Sequence, residues 1–346
     1  MQKTAAADRE AIRQIISLCQ SKSLCSVDVR YDEPMQAHTT FRVGGPADCY
    51  VRPAGEDFPA FTAAILVHAR SAGIPVFILG GGANIVVSDR GIRGIVLDTS
   101  AWKGQAGPIT ERGLSFRCGT SLDEAADIAA AAGLSGLEFL AGMPGSIGGA
   151  VWMNARCYDR EIADVLAETE IIDLSREKTG GIEVHPIRIP IDRAGFGYKR
   201  SPFQKKDCFI LAAGFRLLGG DEKEIRREME KNRQDREAKG HYRFPCAGSA
   251  FKNNRDFGKS TGQIIDELGL RGLRRGGAQV APFHGNIIVN MGDASAADIR
   301  GLMDEAAARV KTATGFVLEP EILFAGDWQQ EYPLRSVDNV LPGFLY

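Results

Sequence analysis

The residues best suited to chemistry are glycines, and they come in two dense groups. The first, Gly80-Gly81-Gly82 with Ala83 and Asn84, ends the apolar run 75–79. Glycines accept positive backbone angles and let a ligand approach the main chain closely, and successive amides in such a turn form a nest for anions. The β-branched run Ile85-Val86-Val87 comes directly after it. A Rossmann fingerprint or a P-loop needs a helix start there, and a P-loop also needs a Gly-Lys-Ser/Thr ending that this loop lacks. Alone, this loop leaves a nucleotide site and a plain hairpin turn equally open. The second group runs Gly142-Met143-Pro144-Gly145-Ser146-Ile147-Gly148-Gly149-Ala150. Two such loops suggest two backbone segments closing on one extended anionic cofactor, with two unrelated turns as the competing reading. A third segment, 39–47 with Arg42, Gly44 and Gly45, reads as a strand ending in a tight turn.

The elements that must position these loops are set by periodicity. Asp8–Gln20 reads as an amphipathic helix, and the first ten residues are expected to fray. Strands alternate with one helix near 58–71 between Phe41 and Asp98. Ser121 and Glu124 form a capping box that opens an Ala-rich helix ending near Gly133. Residues 165–217 are strand-rich, with turns at Gly180-Gly181 and Gly197. Lys223–Lys239 is a charged helix suited to joining two domains. Beyond it, 260–268 is helical, 286–290 is a short buried strand, and Ser295 caps a helix with Ile299, Leu302, Met303, Ala306 and Val310 at helical spacing. A last strand over 318–324 returns to the first region. The pattern reads as an N-terminal α/β or α+β region followed by a smaller C-terminal α+β domain, with divisions drawn at 1–20, 21–222 (split near 100), 223–317 and 318–346.

With 346 residues, several domains are expected. A net charge of −2 gives no global reason to expect nucleic acid or an anionic membrane as partner. No apolar run approaches a membrane span, and Met1 to Gln14 contain no stretch resembling a signal peptide. A cytoplasmic, monomeric protein is expected. The seven cysteines form no Cys-x-x-Cys pair, so no zinc site, metal or disulfide framework is expected, only reduced thiols.

Taken in order, these motifs resemble one family. Thr40-Phe41-Arg42-Val43-Gly44-Gly45-Pro46-Ala47, Leu79 through Asn84 and Gly142 through Ala150 are joined by Ala247-Gly248-Ser249-Ala250-Phe251-Lys252-Asn253, Gly276-Gly277-Ala278-Gln279-Val280 and Leu318-Glu319-Pro320-Glu321. The set resembles the UDP-N-acetylenolpyruvoylglucosamine reductases (UDP-N-acetylmuramate dehydrogenases). The resemblance implies a vanillyl-alcohol-oxidase-type (PCMH-like) FAD-binding domain of two α+β lobes plus a smaller C-terminal α+β substrate domain. It implies non-covalent FAD, NADPH as co-substrate, a UDP-sugar substrate, and a role in peptidoglycan precursor synthesis. No loop fits between Tyr198 and the helix at 223, so the chain looks like the type without an inserted substrate tyrosine.

The resemblance also implies residue roles. Arg42, Gly44, Gly80, Gly81, Gly82, Ala83, Asn84, Gly142, Pro144, Gly145, Ser146, Gly148 and Gly149 would hold the cofactor, Ala83 standing where the family often has serine. Ser249 would donate a proton, and Glu321 would be the catalytic glutamate; Glu319, two residues away, would share its strand face. The family's Phe-x-Tyr-Arg-x-Ser reads Phe196-Gly197-Tyr198-Lys199-Arg200-Ser201 here. Lysine keeps the charge but not the bidentate fork of arginine. On a strand only one of Lys199 and Arg200 enters the site, and register favours Lys199. Tyr198, Arg200, Lys239, Lys252 and Asn253 are candidates for the UDP-sugar; Cys246 and His284 are given no role. A flavin oxidase with another substrate and a non-catalytic flavin-binding module are the competing functions.

Overall fold

The computed structural model describes residues 5–108, 113–176 and 186–328, with side chains from Asp8 onward. The expected turn at Gly180-Gly181 and the end of the returning segment lie outside the described residues. The first large sheet has the order Ser26–Pro34, Pro46–Ala54, Ile92–Asp98, Val76–Leu79. Its first pair is antiparallel and the other two are parallel. The second is antiparallel throughout, in the order Ile187–Pro190, Leu166–Asp173, Cys208–Arg216, Gly113–Arg117. One apolar core spans both sheets and the helices α1 (Ala5–Ser21), α2 (Phe58–Ala72) and α3 (Leu122–Ala131). α2 ends where Gly73 takes the left-handed conformation that favours glycine. α3 starts where the Ser121 hydroxyl accepts from the Glu124 amide.

A third, three-stranded sheet, Arg274–Arg275, Ala278–Val280 and Ile288–Asn290, packs with α6 (Thr261–Glu267) and α7 (Ala296–Thr314) around a separate core. The charged helix between the units is α5 (Glu222–Ala238). It buries Ile225, Met229, Asn232 and Arg236, spaced on one helical face. The strand Leu323–Ala325 returns and pairs in parallel with Ile85–Val87. It is shorter than expected, because 318–321 is held through the isolated bridge of Pro320 with Phe251 rather than by a ladder. α1 begins at Ala5, inside the stretch expected to fray.

The three glycine segments take three different forms, and one differs from expectation. Residues 39–45 are not a strand: Thr40 donates its amide to Gly82 O, and Arg42 is left-handed. Close packing causes this, since a Cβ on Gly45 would lie 2.0 Å from the Asp89 carbonyl oxygen. The second loop turns into a helix, α4 (Ile147–Met153), because Ser146 caps Gly149 N and the apolar Ile147, Ala150 and Val151 are buried. The first loop is no hairpin, since its flanking strands Val76–Leu79 and Ile85–Val87 belong to different sheets.

Candidate functional site

The two glycine loops touch. A Cβ on Gly81 would lie 2.7 Å from Gly145 Cα, and one on Gly80 would lie 2.4 Å from Ser146 Oγ. Glycine is required here because the main chains are in contact. Together the loops line a cavity of about 370 Å³, a size usual for small-molecule sites. Phe77, Ile78, Phe209 and Ile210 provide apolar surface. The Trp152 indole N–H in its wall is buried and has no hydrogen-bond partner among the described residues. A flat ring system joined to an anionic linker fits these walls: apolar faces for the ring, glycine amides and the start of α4 for the linker, and a free donor among them.

Three distant segments also converge on this cavity. Ser249, Lys199 and Glu321 all border the cavity. Lys199 Nζ lies 2.6 Å from Glu321 Oε1, with the two side chains only 14% and 9% exposed. Tyr198 stands at the edge, its hydroxyl 3.5 Å from Glu321 Oε2 and accepting from Asn253 N at 3.3 Å. Burial, and then the Glu321 charge, raise the Tyr198 phenol above its usual range, so it remains a donor.

The direction of Lys199 comes from a turn and not from strand alternation. Gly197 and Arg200 exchange both backbone hydrogen bonds, leaving Tyr198 and Lys199 at the tip, and Lys199 is left-handed. The turn is tied down three ways. Asn154, fully buried, donates to Gly197 O and accepts from Ala163 N. Ser201 Oγ donates to Trp152 O, and Gln204 Nε2 donates to Lys199 O. Arg200 is exposed and folds its guanidinium back over Gly197. Glu319 and Glu321 do not share a face as expected: Glu319 is exposed and Glu321 is 7% exposed, because the segment is not a regular strand there.

Gly80, Gly81, Gly82, Ala83 and Asn84 border the cavity, as do Pro144, Gly145, Ser146, Gly148 and Gly149. Arg42 and Gly44 do not; Arg42 is exposed, and Gly44 packs against Val87. Gly142 lies behind its loop, where its carbonyl accepts from Arg236 Nε and Tyr242 Oη. Lys239 pairs with Asp235 at 2.6 Å and Lys252 with Glu319 at 3.5 Å, both outside the cavity. Asn253 Oδ1 accepts from Thr261 N and so fixes the start of α6.

Several lining residues escaped sequence reasoning: Trp152, Arg156, Arg236 and His241. Arg236 carried a signal, since it continues the buried face of Ile225, Met229 and Asn232. Burial, then the Arg236, His284 and Lys239 charges, push His241 down to about 4, so it is neutral near pH 7.

Comparison with known proteins fits this geometry. The model of the UDP-N-acetylenolpyruvoylglucosamine reductase C-terminal domain matches residues 240–325, and an FAD binding domain model matches residues 47–178. A UDP-N-acetylenolpyruvoylglucosamine reductase from Treponema denticola is 40% identical over 312 residues, covering 87% of this chain and 94% of the relative. One from Borreliella burgdorferi is 40% identical over 291 residues, covering 84% and 92%. The solved UDP-N-acetylenolpyruvylglucosamine reductase from Thermus caldophilus superposes with a TM-score of 0.65 at 31% identity, over 87% of this chain and 100% of that one. The architecture is thus α+β, with an FAD binding domain followed by a smaller C-terminal domain.

Proposed function

The chain belongs to the UDP-N-acetylenolpyruvoylglucosamine reductase family, and from that premise we propose how its own residues carry the reaction. The protein is an FAD-dependent oxidoreductase that uses NADPH to reduce the enolpyruvyl group of UDP-N-acetylglucosamine enolpyruvate, giving UDP-N-acetylmuramate for peptidoglycan. Bound FAD supplies the two-electron carriage between NADPH and the enol ether. In balance, a hydride equivalent joins the methylene carbon, a proton joins the carbon bearing the carboxylate, and NADP+ leaves.

The convergence of Ser249, Lys199 and Glu321 on the cavity that the glycine loops line carries this assignment of roles. Ser249 gives its hydroxyl proton to the carbon bearing the carboxylate. A serine hydroxyl is a weak acid, so it serves when aimed at a strongly basic centre. Lys199 faces the negative charge that grows on that carbon and its carboxylate. Glu321, held by Lys199 and Tyr198, fixes the ammonium in the cavity. The glycine amides of 80–84 and 145–149 take the cofactor diphosphate. Burial pushes the Cys118 and Cys208 thiols beside the cavity up to about 12, and a protonated thiol is no nucleophile toward the flavin. This supports non-covalent binding.

We read 21–222 as the FAD-binding unit and 223–317 as the substrate unit, which the family matches over 47–178 and 240–325 support. The working unit is read as one chain without nucleic-acid or membrane partners, in the cytoplasm, where NADPH and UDP-sugars are found. Among the described residues no helix is long and apolar enough to cross a membrane.

The test is anaerobic. NADPH should bleach the flavin absorbance of the purified protein, and the enolpyruvyl UDP-sugar should restore it. Flavin that stays reduced after the sugar is added would favour an oxidoreductase with another substrate. Flavin that NADPH cannot reduce would favour a non-catalytic binding module.

A further inference from the structure

The charged side chains bordering the cavity among the described residues are Arg156, Lys199, Arg236 and Glu321. Three of them are already committed. Lys199 and Glu321 neutralise each other at 2.6 Å. Arg236, 9% exposed, spends Nε on Gly142 O and Nη1 on Cys157 Sγ. Arg156 is different. Its guanidinium pairs with Asp159 at 3.0 Å, while the Asp159 carboxylate is 98% exposed. Exposed ion pairs of this kind contribute little and exchange easily with another anion.

The position of Arg156 is well defined. It opens a hairpin, Arg156–Cys157 against Arg160–Glu161, whose turn residues Tyr158 and Asp159 are both left-handed. The hairpin leaves α4 through the buried Asn154, the same residue that holds the Lys199 turn. Tyr158 anchors the tip to α5 through Asp235 at 2.8 Å. The Arg156 charge also bears on the phenol of Tyr198, the neighbour of Lys199. A substrate carboxylate entering there meets Lys199, whose charge is shared with Glu321, and a second cation in Arg156.

We infer that Arg156 is a specificity-determining residue, whose guanidinium binds the carboxylate of the enolpyruvyl sugar and supplies the planar fork that Lys199 lacks. This rests on the reading of the cavity as the enolpyruvyl-sugar site. A guanidinium takes a carboxylate through two parallel N–H···O bonds, which a lysine ammonium cannot do. Asp159 holds the side chain extended until the substrate displaces it.

The test compares two ligands that differ in the carboxylate. UDP-N-acetylmuramate carries it and is not turned over; UDP-N-acetylglucosamine lacks it and keeps the same diphosphate. Affinities are measured by titration on FAD-loaded wild type, Arg156→Gln and Arg156→Lys. Arg156→Gln should weaken UDP-N-acetylmuramate by about 10- to 100-fold, the range of a charged hydrogen bond, and leave UDP-N-acetylglucosamine within about twofold. Arg156→Lys should show a smaller loss with the same selectivity, and it decides the matter if the glutamine variant loses its flavin. Equal weakening of both ligands would mean that Arg156 serves the diphosphate, and no weakening of either would mean that it serves neither; both results overturn the inference. If wild type bound UDP-N-acetylglucosamine but gained nothing from the carboxylate of UDP-N-acetylmuramate, the reading of the cavity itself would fail first.

Discussion

Replacing Lys199 with alanine separates the two neighbouring cations that the sequence leaves in competition. Lys199 Nζ and Glu321 Oε1 are 2.6 Å apart in a pair nearly closed to solvent. With an effective dielectric of about 20, their attraction is ~6 kcal/mol, most of which offsets the cost of desolvating both groups. Removing one partner leaves the other charge buried and uncompensated, which commonly costs about 3–5 kcal/mol. A substrate carboxylate at the same place would lose its counter-charge as well, an effect of about 2–5 kcal/mol. Taking the middle of that range, Lys199→Ala should slow reoxidation of the reduced flavin by enolpyruvyl sugar roughly 100- to 1000-fold. Stopped-flow absorbance under anaerobic conditions reads that step directly, and reduction by NADPH in the same instrument should change little. Lys199→Arg should retain much of the activity, because charge and turn conformation both survive. Arg200→Ala should change stability by no more than about 0.5 kcal/mol, the usual effect of an exposed substitution, and leave both steps intact. A severe Arg200→Ala beside a mild Lys199→Ala would refute the reasoning, since the exposed guanidinium would then be the working cation.

The same geometry sets three further outcomes. Ser249→Ala should leave flavin reduction by NADPH nearly unchanged and slow reoxidation by substrate about 100- to 10,000-fold, the usual worth of a positioned acid; equal losses in both steps would mark a structural serine. Gly81→Ala should yield protein with little bound flavin and a lower Tm, because its Cβ would lie 2.7 Å from Gly145 Cα and the loops would have to part; full flavin content after purification would contradict the contact. His241, lowered to about 4 chiefly by burial, stays neutral in the folded chain while the unfolded chain protonates near pH 6.5, so stability is full above that value and falls as pH drops toward 4. His241→Gln should flatten the Tm–pH profile over that window, and an unchanged slope would assign the loss to other groups.

Much of the scaffold was legible because its signals are periodic or local. α7 shows helical spacing from Ile299 to Val310 and its Ser295 cap in the sequence itself, and both glycine loops announce themselves by composition. What escaped depended on long-range contacts. Gly148 and Gly149 are poor helix formers, yet α4 forms over them because Ser146 caps it and the core spanning the two large sheets receives Ile147, Ala150 and Val151. Strand alternation does not aim Lys199: a turn does, and the ties from Asn154, Ser201 and Gln204 come from as far as 49 residues away. Arg156 looked like any charged residue near a turn until the fold brought its hairpin to the edge of the cavity.

The same long-range ties explain how two separately packed units present one site. Glu321 sits on a segment bonded on both sides. Toward the substrate unit, its amide donates to Ala250 O and Lys252 N donates to Glu319 O, one residue beyond and three beyond Ser249. Toward the cofactor loop, Asn84 Nδ2 donates to Glu321 O and Leu323 N donates to Asn84 O. Just past the Ile85–Val87 strand, Asp89 accepts from Ala296 N and Ala297 N, so the exit of that strand caps α7 in the other unit. Backbone bonds therefore set the spacing between the glycine loop, Glu321 and Ser249, with few flexible side chains in the path. An ångström of misplacement at a reacting centre can cost about a hundredfold in rate. A shared strand holds that tolerance where two units joined only by a linker would not, and this is a physical reason for the chain to return to its first domain after completing its second.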